Sequence, residues 1–234
     1  INDSIIQIEN EYYSSIRPKR IVGSGERPIN ALKEKGIEYV EVRCMDNNPF
    51  EPLGISAETS HFLEAYLMTC LADENKFASK EEIVEIQTNW QNVVKDGRNP
   101  DLNILVNGKE INIKDAANSI LEKIKIFNSS ITDKADNLKT NITNSIALQE
   151  KKIENSDLTP SGKILKIIKD NDMTWTDFNL ELYEEHKRYF SSLTKNLSYL
   201  EEEAKTSLVK FNELEKEEEI PFADFLKNYL NALN

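Results

Sequence analysis

The 234-residue chain is short of cysteine, histidine and cationic charge, and each shortage removes a class of function. Two cysteines, Cys44 and Cys70, supply neither a disulfide framework nor a metal-ligand spacing, and so small a number fits a reducing, cytoplasmic compartment. Two histidines, His61 and His186, each isolated within a helical pattern, give little basis for a zinc site or a histidine dyad. Lys and Arg number 29 against 41 Asp and Glu, a net charge of −12, whereas a nucleic-acid partner needs an excess of clustered cations. The same deficit disfavours an anionic membrane surface. No apolar run reaches the ~18–20 residues of a membrane span, and the N-terminus lacks the basic-then-apolar pattern of a signal peptide. The chain opens Ile1-Asn2-Asp3 without a methionine, so a stretch of a longer protein is expected.

What is present falls into two textures, an α+β arrangement. Residues 1–55 hold four of the seven prolines, four of the seven glycines and most strand-like segments; residues 56–234 read as mainly helical with a hairpin near 102–113. Residues 5–13 alternate, with Gln7, Glu9, Glu11 and Tyr13 on one face, and predict a strand. Residues 37–44 predict another, with Tyr39, Glu41 and Arg43 on one face and Val40, Val42 and Cys44 on the other. Arg17-Pro-Lys-Arg20 and Gly23-Ser-Gly-Glu-Arg27 read as the intervening loop. A short helix over 29–35 should end at Gly36. Residues 57–72 predict a largely buried helix. Ser79-Lys-Glu-Glu82 is a capping box opening a helix to about Lys95. Asn107-Gly108 marks the hairpin, and Asp115 is the expected cap of the following helix. Five or six helices follow to the end, one of them opened by Thr159-Pro160. Residues 175–215 carry Tyr189, Leu193, Leu197, Leu200, Ala204, Leu208, Phe211 and Leu214 at three- and four-residue steps. This seam is expected to pack within the chain's own bundle; a coiled-coil partner face is the alternative. The acidic run 213–219 reads as a solvated face.

Chemistry has one plausible home, the first fifty residues. If the two predicted strands share an antiparallel sheet, carboxylates and guanidinium groups stand side by side on its polar face. Carboxylates can hold Mg²⁺, and Arg or Lys can neutralise a phosphoryl group in flight. A mixed-charge face turned to water accounts for the same pattern. Gly23-Ser24-Gly25 lacks the G-K-[ST] end of a P-loop and reads as a flexible connection. Cys44 and Cys70 are both expected in the core.

The blocks Ile8-Glu-Asn-Glu-Tyr-Tyr13, Ile16-Arg-Pro-Lys-Arg20, Gly36-Ile-Glu-Tyr-Val-Glu-Val-Arg43, Asp46-Asn-Asn-Pro-Phe50 and Pro52-Leu-Gly54 resemble, in order and spacing, the bacterial glutamate–cysteine ligases. Weaker matches continue through Asn89-Trp90, Gly97-Arg98, Pro100, Leu158-Thr159 and Pro221-Phe222-Ala223, while residues 107–154 carry no matching block. The resemblance implies part of a glutamine-synthetase-like curved antiparallel sheet, followed by helices. It implies ATP-dependent joining of the glutamate γ-carboxylate to cysteine through a γ-glutamyl phosphate, the first step of glutathione synthesis. Mg²⁺, or Mn²⁺ in its place, would be required, with ATP as substrate. Position by position, Glu41 looks like a metal ligand and Arg43 like the catalytic arginine at the transferring phosphoryl group or the glutamate. Tyr13 looks like a wall of the cysteine pocket, and Arg17 like a substrate-binding residue beside the phosphates. Lys19 and Arg20 look like phosphate-binding residues, and Glu9 and Glu11 carry no assigned role. The implied partners are these small molecules and an N-terminal half that the chain does not contain, without which it should be inactive. Two other readings stand beside this one: a carboxylate–amine ligase with a different acceptor, and a non-catalytic helical interaction module built on the seam.

Overall fold

The computed structural model describes residues 5–6, 8–23, 25–74, 76–132, 136–193, 197–216 and 220–231. Two compact units emerge: residues 1–46 together with 194–234, and residues 47–193. The described residues are mostly helical, with two small antiparallel sheets.

In the first unit, strand β1 (Ile16–Lys19) pairs with β2 (Tyr39–Val42), with Arg17 opposite Glu41 and Lys19 opposite Tyr39. The tetrapeptide expected to be a loop is thus a strand. Pro18 permits this because of its register: the Arg43 N–H donates to the Ser15 carbonyl at 2.7 Å, which makes Arg17 and Lys19 the hydrogen-bonding positions. Pro18 falls between them, where no N–H is needed. The expected strand over 5–13 does not form. A 3₁₀ turn, Glu9–Glu11, stands there, closed by the Glu11 N–H on the Ile8 carbonyl at 3.1 Å. Alternation alone cannot hold a strand that has no ladder to join. Gln7 of that row and Ser24 of the glycine loop lie outside the described residues, as do 217–219 of the acidic run.

Helix α1 (Pro28–Lys35) joins the two strands and ends where expected, at Gly36, whose φ of 76° an L side chain would resist. Cys44 is a correction: it lies just past β2 with φ 61° and is exposed, not part of an apolar face. The seam over 175–215 is a second one. It divides into α7 (Trp175–Ser192) in the second unit and α8 (Leu197–Leu214) in the first, and its described apolar members are exposed rather than packed in a bundle core. In α8 the stripe includes Leu200, Leu208 and Phe211. Helix α9 (Phe222–Asn231) follows in the same unit.

The core of the second unit is a three-helix packing of α2 (Ala57–Ala72), α4 (Ile113–Ser130) and α5 (Asp136–Glu154). Ala65, Leu121, Ile124, Ile142 and Ile146 are its buried centre, with Phe62 and Tyr66 packed against them. Helix α2 is less enclosed than expected: Met68, Leu71 and Cys70 face outward. Asn112, not Asp115, caps α4, its side chain accepting from the Lys114 N–H. Helix α3 (Lys80–Asp96) opens on the full capping box, Ser79 and Glu82 each accepting from the other's backbone. The hairpin is β3 (Asn103–Val106) and β4 (Lys109–Asn112), with Asn107 and Gly108 both left-handed at φ 53° and 74°. Helix α6 (Pro160–Asp170) starts at the Thr159 cap.

Two side chains of α3 fasten the hairpin to it: Glu85 accepts from the Gly108 N–H at 2.8 Å, and Asn89 holds the strand. The Asn89 amide donates to the Leu105 carbonyl at 2.6 Å and accepts from the Leu105 N–H at 2.8 Å, satisfying both groups of an edge residue. Asn89→Ala leaves both partly buried groups unpaired, and we expect a loss of about 1–3 kcal/mol. Hydrogen exchange at the Leu105 amide should accelerate accordingly; unchanged protection there would refute the role.

Candidate active site

The polar face of the β1–β2 ladder is built by register. In an antiparallel pair, residues directly opposite project to the same side, so Arg17 with Glu41 and Lys19 with Tyr39 share a face, and Arg43 continues it two residues on. Glu41 lies at the centre. Its Oε2 accepts from Arg43 Nη2 at 3.1 Å, and Lys19 Nζ stands 3.7 Å from the same oxygen. The Tyr13 ring, arriving from the segment before β1, carries the Arg43 guanidinium over its face at 5.0 Å and that of Arg17 at 6.0 Å. All these groups are only partly covered, so substrates could reach them.

The electrostatics follow from the contacts. The hydrogen bond from Arg43 holds the Glu41 carboxyl below its ordinary range, aided by the charges of Arg43 and Lys19 and opposed by partial burial. Three cations (Arg17, Lys19, Arg43) face one carboxylate, which leaves an excess positive charge of two on this face of an otherwise acidic chain. Such a surface favours anions.

Five of the residues singled out from sequence therefore come together: Tyr13, Arg17, Lys19, Glu41 and Arg43. Arg20 does not join them. Its Nη1 donates to the Lys35 carbonyl at 2.7 Å and the Gly36 carbonyl at 3.1 Å, closing the C-terminal end of α1. Glu11 is exposed on the 3₁₀ turn. The polar row predicted to flank Tyr39, Glu41 and Arg43 was that of residues 7–13; the row that does so belongs to Arg17 and Lys19. The signal was present, since Ile16, Arg17, Pro18 and Lys19 alternate, but the proline concealed it. Sequence reasoning also missed Arg27, which is buried with its guanidinium 5.0 Å from the Tyr229 ring of α9.

Metal-binding capacity on this face is limited. Among the described residues no three of His, Cys, Asp and Glu lie close enough to hold an ion. Among the described side chains of this face Glu41 alone offers a carboxylate, and one carboxylate suffices for Mg²⁺ only where phosphates and waters complete the shell. Nor, among the described residues, is any helix long and apolar enough to cross a membrane.

A family model described as glutamate–cysteine ligase matches residues 1–93, a span that contains every residue of the group above. The glutamate–cysteine ligase of Pseudomonas savastanoi pv. phaseolicola is 40% identical over 233 residues, covering 98% of this chain and 43% of its own length. That of a Janthinobacterium strain is 37% identical over 232 residues, with 98% and 44% covered. A crystal structure of the Francisella tularensis glutamate–cysteine ligase in complex with AMP superimposes with a TM-score of 0.86 at 33% identity, covering 99% of this chain and 46% of that one. The chain spans less than half the length of the relatives it matches. Within that span, in sequence and in fold, it belongs to the glutamate–cysteine ligase family.

Proposed function

We propose that this chain forms one wall of the active site of an ATP-dependent ligase that joins the γ-carboxylate of glutamate to the amine of cysteine. One arrangement carries this reading: the guanidinium of Arg43, fixed by Glu41 and by the Tyr13 ring, on the same face as Lys19 and Arg17. The AMP held by the Francisella tularensis relative supports an adenine nucleotide as the ligand.

The reaction has two displacements. An oxygen of the γ-carboxylate attacks the γ-phosphorus of ATP; the bond to the bridging oxygen breaks and ADP leaves with its electron pair. The cysteine nitrogen then attacks the acyl carbon, the bond to phosphate breaks, and the nitrogen loses a proton. Both steps move negative charge across phosphoryl oxygens. Pre-fixed donors stabilise such charge without reorganising at the moment of reaction. Arg43 has two ties that keep its fork in place, so we assign it to the transferring phosphoryl group or the glutamate carboxylate. Lys19 takes the nucleotide phosphates, and Arg17 a substrate carboxylate or phosphate. Arg20 contributes by holding the end of α1. The Tyr13 ring offers a face to the polarisable sulfur of cysteine. Glu41 would supply one oxygen to Mg²⁺ or Mn²⁺, which when bound neutralises phosphate charge; the rest of its shell comes from phosphates, water and groups outside this chain.

A two-stranded ladder is marginal alone. Ile16 and Val40, on the face opposite Glu41, remain exposed, which supports the ladder as a piece of a larger curved sheet of the glutamine-synthetase kind. The 234 residues alone should accordingly be inactive. The full-length protein should sustain ADP release over many turnovers only when glutamate and cysteine are both present; glutamate alone should give at most one ADP per site. Comparable turnover with alanine or glycine as acceptor would favour a different carboxylate–amine ligase. Glu41→Gln should raise the Mg²⁺ concentration needed for half-maximal rate. The Glu41 carboxyl, acidic to begin with and held lower still by Arg43, is ionised in the neutral range, so this titration reads the loss of a ligand and not of a proton. An unchanged magnesium curve would remove Glu41 from the metal.

A further inference from the structure

A cavity of about 460 Å³ opens in the second unit, between the turn after α3, the start of α4 and the end of α5. It uses none of the residues of the β1–β2 face. Its walls are apolar where Phe62, Ile120 and Ile153 contribute, and its charged lining is Arg98, Lys114 and Lys152 against one carboxylate, Glu154. Three cations around one hollow run against the composition of a chain with 29 cationic and 41 acidic residues.

Lys152 is the informative member. It is half-buried, and its hydrogen-bond acceptor among the described residues is the neutral Oε1 of Gln149, at 3.3 Å. Burial, with the like charge of Lys163 nearby, lowers the proton affinity of its ammonium. A half-covered ammonium facing a neutral amide and a second cation is unfavourable unless an anion sits opposite it. Lys114 is partly buried as well, and among the described residues Arg98 has a distant ion pair, 4.0 Å, with the exposed Asp157. The volume is within the range of small-molecule sites.

We propose that this cavity binds a small organic anion with an apolar body, its acidic group taken by Lys152 and Lys114 and its body by the wall of Phe62, Ile120 and Ile153. This occupant is chosen over a neutral apolar one by charge, and over a bare inorganic anion by the apolar walls.

The test uses the full-length protein and the fluorescent anion 1-anilinonaphthalene-8-sulfonate. One saturable site is expected, weakened about tenfold by Lys152→Gln, the size of one lost charge-assisted hydrogen bond, and similarly by Lys114→Gln. Decanoate or decyl phosphate should displace the probe, the stronger of the two identifying the acidic group, and decanol should not. Saturable binding that survives both substitutions, or displacement by decanol as effective as by decanoate, would overturn the proposal. So would the absence of a saturable site, the result expected if another part of the full-length protein fills the cavity. Because the readout is binding of a dye, failure here leaves the ligase reading untouched.

Discussion

Arg43→Ala in the full-length protein should lower turnover with glutamate, cysteine and ATP by about 10²–10³-fold, the usual consequence of removing one fixed donor from a charge-stabilising site. Arg43 is held twice, by the Glu41 carboxylate at 3.1 Å and by the Tyr13 ring at 5.0 Å, so its donors are placed before any substrate arrives. A loose arginine would have to be ordered during the reaction and would contribute less. The fold should survive the change. The side chain lies at the end of a two-stranded ladder, only partly covered, while the backbone bond from its N–H to the Ser15 carbonyl is untouched. Glu41 also keeps Lys19 within 3.7 Å and is not left without a cation. Arg43→Lys should recover only part of the rate, since a single ammonium cannot reproduce the planar fork. Steady-state kinetics with circular dichroism as the folding control decide it. A rise in KM with kcat unchanged would place Arg43 in binding that ground state and transition state share equally, and rates like those of the unsubstituted protein would remove it from the site.

Much of the helical layout was legible because its signals are local. The Ser79 capping box, the Thr159-Pro160 start, the Gly36 stop and the Asn107-Gly108 turn each depend on a few adjacent residues, and each stands where the sequence placed it. The sheet was legible only in part. Tyr39–Val42 was predicted, but its partner is chosen by a pairing that no local rule sees. Residues 5–13 alternate well, yet those of them that are described stay outside any strand, while Ile16–Lys19, which contains a proline and two cations, takes the place beside β2. The face bearing Glu41 and Arg43 was read correctly from period alone, because side-chain direction in a strand does not depend on which strand pairs with it. What period could not give was the identity of the neighbouring cations. Exposure was the least legible property. Cys44, Cys70 and the α8 stripe look like core in one dimension, yet whether an apolar face is covered depends on what packs against it. The central core was hard to foresee for the same reason. Residues 107–154 carry no block that matches the family, and they supply four of the five buried centres, Leu121, Ile124, Ile142 and Ile146.

That core gives the second large effect. Ile124 is fully buried where α4 meets α2 and α5, and Ile126, two residues on in the same helix, is 67% exposed. Removing the buried side chain forfeits its transfer free energy and leaves a cavity that surrounding helices fill only partly, so Ile124→Ala should cost about 2–5 kcal/mol. The exposed neighbour is the internal control. Ile126→Ala removes the same atoms from water-facing surface and gains slightly in helix propensity, so its effect should stay within about 0.5 kcal/mol. The difference between the two isolates burial from composition. Urea denaturation of the full-length protein would measure it as a fall in midpoint for Ile124→Ala only. Leu121, one turn before Ile124, lines the cavity of Lys152, so the same substitution should also loosen the wall that faces the proposed anion. Equal midpoints for the two variants would mean that α4 is not packed through the face described here.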